Sequence, residues 1–389
     1  MARRRSYEGV AVCAPVTVPY RRYATEGAHW FLGQALQSLL AASGLEKQAL
    51  DGLTVSSFSL APDTAVGVTQ HLGLSPRWLD HLPTGGASGV MALRRAARAV
   101  QCGDADVVAC VAADTNHVDS FRQMLGSFSD FARDASYPYG AGGPNAVFAF
   151  ITEHYMRRFG ARREDFGRIA VAQRRNASMN PLALMRKPLS LDDYLAAKPI
   201  SEPIHLFDCV MPCAGAEAFL VMEVQRARDL GLPHVLLHGA IERHNAFADD
   251  PVLERGGWAV DIDELYGQAG VRPAQIDFVQ TYDDYPVIVM MQFEDLGFCA
   301  KGEGPAFVRQ HGLCWDGSFP NNTGGGQLSA GQAGAAGGFL GLTEALRQLS
   351  GQAGGRAVPG ARLGLVSGFG MVAYDRCLCT GAVILGSAT

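Results

Sequence analysis

Four places in this sequence hold side chains whose type and spacing can do chemistry. Tyr282-Asp283-Asp284-Tyr285 sets two phenols and two carboxylates in consecutive positions. A phenol donates a hydrogen bond, and becomes a base only where neighbouring donors lower its pKa; a carboxylate can orient it, but raises that pKa when aimed at the oxygen. Two glycine clusters, Gly85-Gly86-Ala87-Ser88-Gly89 and Gly324-Gly325-Gly326 with Gly331 to Gly338, enclose Ser88, Ser329 and Gln332. Glutamine donates and accepts hydrogen bonds but is no base near pH 7. Tyr374 follows a third glycine turn, Gly368-Phe369-Gly370, from which it can line a pocket. Nine cysteines complete the set, mostly inside apolar runs in the manner of reduced core thiols.

Motif logic excludes several chemistries. Gly368 to Ala373 imitates a dinucleotide fingerprint, yet only a terminal strand follows where a helix and a second strand are required. Neither Ser88 nor Ser329 lies in Gly-x-Ser-x-Gly, so no nucleophile elbow is present. Cys209 to Cys213 and Cys377 to Cys379 lack zinc-site spacing, and no P-loop or His-Glu-x-x-His occurs. His117 and His154 read as lone surface or core histidines, and Asp114 as a turn residue at the end of a strand.

The elements that must hold these groups alternate. Strands are expected at Val10 to Val18, Leu53 to Leu60, Asp106 to Ala112 and Ala216 to Val224, then at His234 to Ile241, Ile276 to Tyr282, Leu363 to Val366 and Leu378 to Leu385. Helices are expected at His29 to Ala42, from the first glycine turn through Val100, at Ile262 to Gly267, Val287 to Leu296 and Gly331 to Leu349. Strands apolar on both faces belong in an α/β layer. In each half a glycine turn opens a small-residue helix and a buried strand follows, which predicts a duplicated α/β unit with two helix N-termini near its middle. We expect an N-terminal half at 1–115 and 207–233, a C-terminal half at 234–389, and between them, at 116–206, a loop or cap domain of three helices.

Composition bounds the rest. A chain of 389 residues, 48 % hydrophobic and 18 % charged, is folded and spans about two to three domain-sized units. Its net charge of -5 gives no footprint for nucleic acid. No apolar stretch approaches the ~20 residues of a membrane span or forms a signal peptide, so a soluble, cytoplasmic protein is expected.

At the glycine turns the sequence also resembles a known family. Asn322-Thr323-Gly324-Gly325-Gly326 through Gly331-Gln332-Ala333-Gly334-Ala335-Ala336-Gly337 is similar to the thiolase signature, Asn-x-x-Gly-Gly followed by Gly-His-Pro-x-Gly-Ala-Thr-Gly. Arg175 to Pro181, Pro188-Leu189, Asp192 to Leu195 and Pro203 to Cys209 resemble the sterol carrier protein X branch. The resemblance implies the five-layer αβαβα fold of thiolases, a loop domain that binds the CoA arm, and a dimer. The family's nucleophilic cysteine is replaced by Gly86 and its activating histidine by Gln332, while Val366 or Ser367 stands where a second cysteine belongs. Without a thiolate, ping-pong thiolysis is not expected.

Tyr282 to Tyr285 and Glu294 to Gly304 look like the thiolase-like aldolases of steroid side-chain degradation, which use tyrosines in place of that cysteine and histidine. The resemblance implies a lyase that cleaves a β-hydroxyacyl-CoA by retro-aldol reaction, with no tightly bound cofactor. It also implies a zinc-ribbon/OB-fold partner, in a heterotetramer. Tyr282 is then the acid/base, Gln332 a polar stabiliser, Asp283 or Asp284 an orienting carboxylate, and the turns at Gly86 and Gly331 a source of N–H donors to an oxyanion. Two alternatives stay open: an acyltransferase with an unorthodox nucleophile, Ser88 or a cysteine brought in by folding, and a non-catalytic acyl-CoA-binding subunit.

Overall fold

The computed structural model describes residues 6–117, 138, 143–373 and 376–388. Eleven strands appear among them: β1 (Val10–Arg21), β2 (Gly52–Ser56), β3 (Trp78–His81), β4 (Val107–Asp114), β5 (Pro199–Ser201), β6 (Ile204–His205), β7 (Ala214–Glu223), β8 (His234–His244), β9 (Phe278–Gln280), β10 (Leu363–Val372) and β11 (Cys377–Ser387). Nine form one mixed sheet in the order β3-β2-β4-β7-β1-β8-β11-β10-β9, and β5 pairs with β6 apart from it.

The expected duplication is visible in this order. β2 runs parallel to β4, followed by antiparallel β7 and β1; β9 runs parallel to β10, followed by antiparallel β11 and β8. Within the sheet the halves join where Ala11 to Cys13 of β1 pair with His234 to Leu236 of β8. Alternation along β4 sorts its side chains into two cores. Val107, Ala109, Val111 and Ala113 pack beneath the outer helix Ala28–Ser43. Val108, Cys110 and Ala112 face inward, where Val366, Val383 and Leu385 of the other half meet the same pair of helices, Ser88–Cys102 and Gly337–Leu349. Leu365 and Ile384 turn outward to a third core with the helices Trp258–Ala269 and Pro286–Asp295. The layers thus run helix, sheet, helix, sheet, helix.

The two central helices start almost in contact. A Cβ on Gly89 would overlap the Gly338 carbonyl, and one on Gly338 would stand 2.6 Å from the Gly86 oxygen. Only glycine permits this approach, and it brings both glycine turns to one place. The expected helix Gly331 to Leu349 is broken there: Gly331 (φ 114°) and Gly334 (φ 51°) are left-handed, so a short helix ends at Ala330 and the long one begins at Gly337. The expected strand to Leu60 stops at Ser56, because Ser57 to Ser59 turn to donate to Asp114. The strand expected to reach Tyr282 ends at Gln280.

In the stretch before β7, the helices Pro144–Phe159, Arg163–Ser178 and Leu191–Leu195 stand over the C-terminal sheet. Phe148, Ile151, Tyr155 and Phe166 share one core with Val287, Val289 and Phe293. Among the described residues no helix is long and apolar enough to cross a membrane.

Candidate functional site

Beyond β9 the chain leaves the sheet, and its path is set by main-chain clamps. Gln292, fully buried, donates from Nε2 to the Tyr282 carbonyl at 2.7 Å and accepts at Oε1 from the Tyr282 N–H (3.1 Å) and the Ser367 hydroxyl (2.6 Å). Pro286 opens the next helix, and a residue before proline is confined to extended conformations. Tyr285 adopts one (φ -142°, ψ 145°) and its ring stacks on Phe148 with centroids 4.0 Å apart. The Tyr285 hydroxyl donates to Asn145 Oδ1 at 2.5 Å.

Tyr282 projects to the first glycine turn. A Cβ built on Gly86 would lie within the Tyr282 ring and against the Phe369 carbonyl. The phenol therefore fills the space into which a side chain at position 86 would point. Its ring lies nearly parallel to Phe369 (6.1 Å, 17°), and its oxygen accepts a hydrogen bond from Gln332 Nε2 at 3.3 Å. Gln332 is itself held by its main chain, donating to Met211 O and accepting from Cys213 N, both at 2.9 Å. An amide carries two N–H donors, so one remains after the bond to Tyr282.

These groups line a cavity of about 230 Å³. Phe58, Phe148, Phe369, Met371 and Val372 make its wall apolar; Tyr282, Asp284, Tyr285, Gln332, Asn145 and Cys209 are its polar lining. A largely apolar ligand with a few polar groups fits such a lining.

The electrostatics bear on the role expected of Tyr282. Burial, and then the charge of Asp284, push the Tyr282 pKa well above 10, against the smaller opposing effect of the Gln332 and Gln327 amides. The direction of this shift favours the protonated phenol, a hydrogen-bond donor. The two aspartates also separate. Asp283 accepts from the N–H groups of Gln327 (2.9 Å) and Leu328 (3.2 Å), which fixes the second glycine turn to the Tyr282 segment. Burial raises its pKa to about 7. Asp284 lines the cavity instead.

Other expected groups are placed elsewhere. The Gly331 N–H bonds to the Gln327 carbonyl (3.1 Å), and the residue does not line the cavity, so it supplies no oxyanion donor. Ser88 is fully buried and its hydroxyl is taken by Leu82 O (3.2 Å) and Thr84 Oγ1 (3.1 Å), which removes it as a nucleophile. Tyr374 lies outside the described residues. Cys209 reaches the cavity, but burial pushes its thiol up to about 12. Cys377 and Cys379 are buried core thiols bonded to main-chain carbonyls. Asp114 is more than a turn residue: it accepts from Phe58 N, Ser59 N and Ala335 N at 2.7–2.9 Å, bolting one half to the other's glycine turn. His154 Nε2 lies 2.6 Å from Glu254 Oε1 in a half-buried contact.

Asn145, Phe148, Gln292 and Phe369 escaped the sequence reading. Each contacts the tyrosine segment from a distant or irregular position, and only the proline after Tyr285 signals any part of that arrangement.

With this geometry in hand, the chain can be set beside known proteins. Residues 239–385 match the family described as thiolase C-terminal domain-like. A steroid side-chain-cleaving aldolase of Thermomonospora curvata is 32% identical over 335 residues, covering 82% of this chain and 84% of the relative. A 17-hydroxy-3-oxo-4-pregnene-20-carboxyl-CoA lyase of Mycobacterium tuberculosis is 32% identical over 82% of this chain and 85% of its own. Among solved structures, the Ltp2-ChsH2(DUF35) aldolase superposes with a TM-score of 0.83 and 27% identity, covering 97% of this chain and 98% of its own. The monomeric SCP2-thiolase-like protein type 1 of Mycobacterium smegmatis shares the fold (TM-score 0.72, 16% identity, 98% of this chain and 78% of its own).

Proposed function

The chain belongs to the thiolase superfamily, and we propose that it is one of that family's carbon–carbon lyases, cleaving a β-hydroxyacyl-CoA thioester by retro-aldol reaction with no covalent acyl-enzyme. The observation that carries this reading is the overlap at Gly86. The space into which a nucleophile would project is filled by the Tyr282 phenol, and the remaining polar groups of the cavity are suited to hydrogen bonding and proton transfer.

Retro-aldol cleavage breaks the Cα–Cβ bond and leaves its electron pair as an enolate on the thioester oxygen. Tyr282 and Gln332 would donate to that oxygen as its charge grows. Donors fixed in advance stabilise the transition state more than the ground state, and each such donor contributes a factor of about 10²–10³. Covalent acyl transfer has no equivalent support: Ser88 is buried in structural hydrogen bonds, and the Cys209 thiol sits near 12.

The apolar wall suits a polycyclic hydrocarbon, and we extend to this chain the steroid-type CoA thioesters named for its relatives. No tightly bound cofactor enters this chemistry. We assign a zinc-ribbon/OB-fold protein as partner, supported by a solved relative named for two components. A dimer or heterotetramer in the cytoplasm, with 116–206 as the loop domain that receives the CoA arm, completes the reading.

The test is incubation of the chain and that partner with a steroid β-hydroxyacyl-CoA. Ketone and shortened acyl-CoA are expected in equal amounts. Tight acyl-CoA binding without cleavage would favour a non-catalytic subunit instead.

A further inference from the structure

Retro-aldol cleavage needs a base for the β-hydroxyl proton, and the Tyr282 oxygen already accepts from Gln332 while burial favours its protonated form. We infer that Asp284 is this base: its carboxylate accepts the substrate's β-hydroxyl proton inside the cavity and returns it to the α-carbon. The inference rests on the lyase reading and names the group that reading leaves open.

Three observations support it. Asp284 lines the cavity beside Tyr282 and Tyr285. Its Oδ1 is shut off from solvent and has no hydrogen-bond partner. A buried acceptor left unsatisfied is costly, and the carboxyl group that carries it borders the cavity from which a substrate hydroxyl would approach. The nearby carboxylates are already occupied: Asp283 accepts from the Gln327 and Leu328 N–H groups, and Asp114 from Ser57, Phe58, Ser59 and Ala335.

The other cavity-lining groups are excluded by their chemistry. Tyr285 already donates to Asn145, Cys209 is a thiol near 12, and the amides of Asn145 and Gln332 are not basic. No histidine lines the cavity among the described residues. The groups that face Asp284 are Asp283, Tyr282, Tyr285, Cys209 and Cys377. Burial and then the neighbouring Asp283 charge raise its pKa well above the ordinary carboxylate value, against smaller opposing main-chain hydrogen bonds.

The step balances without an external reagent. The hydroxyl proton passes to Asp284, the C–O bond becomes the ketone carbonyl, and the Cα–Cβ pair becomes the enolate. The same proton then moves from Asp284 to the α-carbon, leaving acyl-CoA, ketone and the original carboxylate.

Asp284→Asn keeps the shape and removes the base. It takes away a buried charge, so the fold should persist, which an unchanged melting midpoint would register. With the partner present, kcat should fall by about 10²–10⁴ while KM changes little. Exchange of the α-protons of the product acyl-CoA with D₂O should be lost in parallel, and acetate should restore part of the activity of Asp284→Ala. Cleavage by Asp284→Asn within tenfold of wild type, or exchange at the wild-type rate, would overturn the assignment and leave the lyase reading intact. A wild-type chain that neither cleaves nor exchanges would overturn both.

Discussion

Gly86→Ala is expected to slow cleavage by about 10² or more and to loosen the fold together. The added methyl would fall within the Tyr282 ring and against the Phe369 carbonyl, so the ring, the backbone or both must move. Overpacking of this kind costs about 1–3 kcal/mol, and more where main chain blocks relaxation. Here it does, because Gln292 clamps Tyr282 by both its N–H and its carbonyl. A displacement of about 1 Å at a reacting group costs on the order of 10² in rate. Combining it with Tyr282→Gly should recover part of the stability, since the ring is gone and the Phe369 carbonyl remains, and none of the activity. Denaturation midpoints and cleavage rates measure both. Wild-type values for the single variant would show that Gly86 and Tyr282 are not packed as described.

Tyr282→Phe separates the hydroxyl from the ring. The ring still fills the space over Gly86 and still lies along Phe369, so stability should change by about 1 kcal/mol or less, set by the lost bond to Gln332. kcat should fall by about 10²–10³ with little change in KM, the signature of an interaction made in the transition state. The pH dependence follows from the direction of the shift. With its pKa raised above 10, the phenol keeps its proton across the working range, so Tyr282 sets no alkaline limb below pH 10. Full activity of the phenylalanine variant would remove Tyr282 from the chemistry.

What the sequence could and could not disclose follows from the physics of each feature. The doubled α/β unit was legible because helical and strand periodicities, and the glycines that let two helix N-termini touch, are local signals. Tyr282 and Gln332, fifty positions apart, were legible as partners only through the two family motifs that carry them, and the structure does join them. The facing of Asp283 and Asp284 was not legible. They lie between β9 and the helix at Pro286, where no period says which neighbour turns to the cavity and which to the Gln327 N–H. Ser88 stays open in the sequence as an unorthodox nucleophile because its bonds to Leu82 and Thr84, though local, depend on a turn conformation that no period announces. Asn145 and Phe148 meet Tyr285 from about 140 positions away, and Gln292 reaches back one helical turn further than any capping pattern would suggest.

The central claim is that the site breaks a carbon–carbon bond without ever holding the acyl group covalently. Intact-protein mass spectrometry after incubation with acetyl-CoA and with a longer acyl-CoA, while released CoA is assayed, tests it most directly. The account predicts an unmodified protein mass and no CoA release with either thioester. A stable acyl adduct on the chain, matched by released CoA, would contradict it and identify a nucleophile in a cavity where none is assigned.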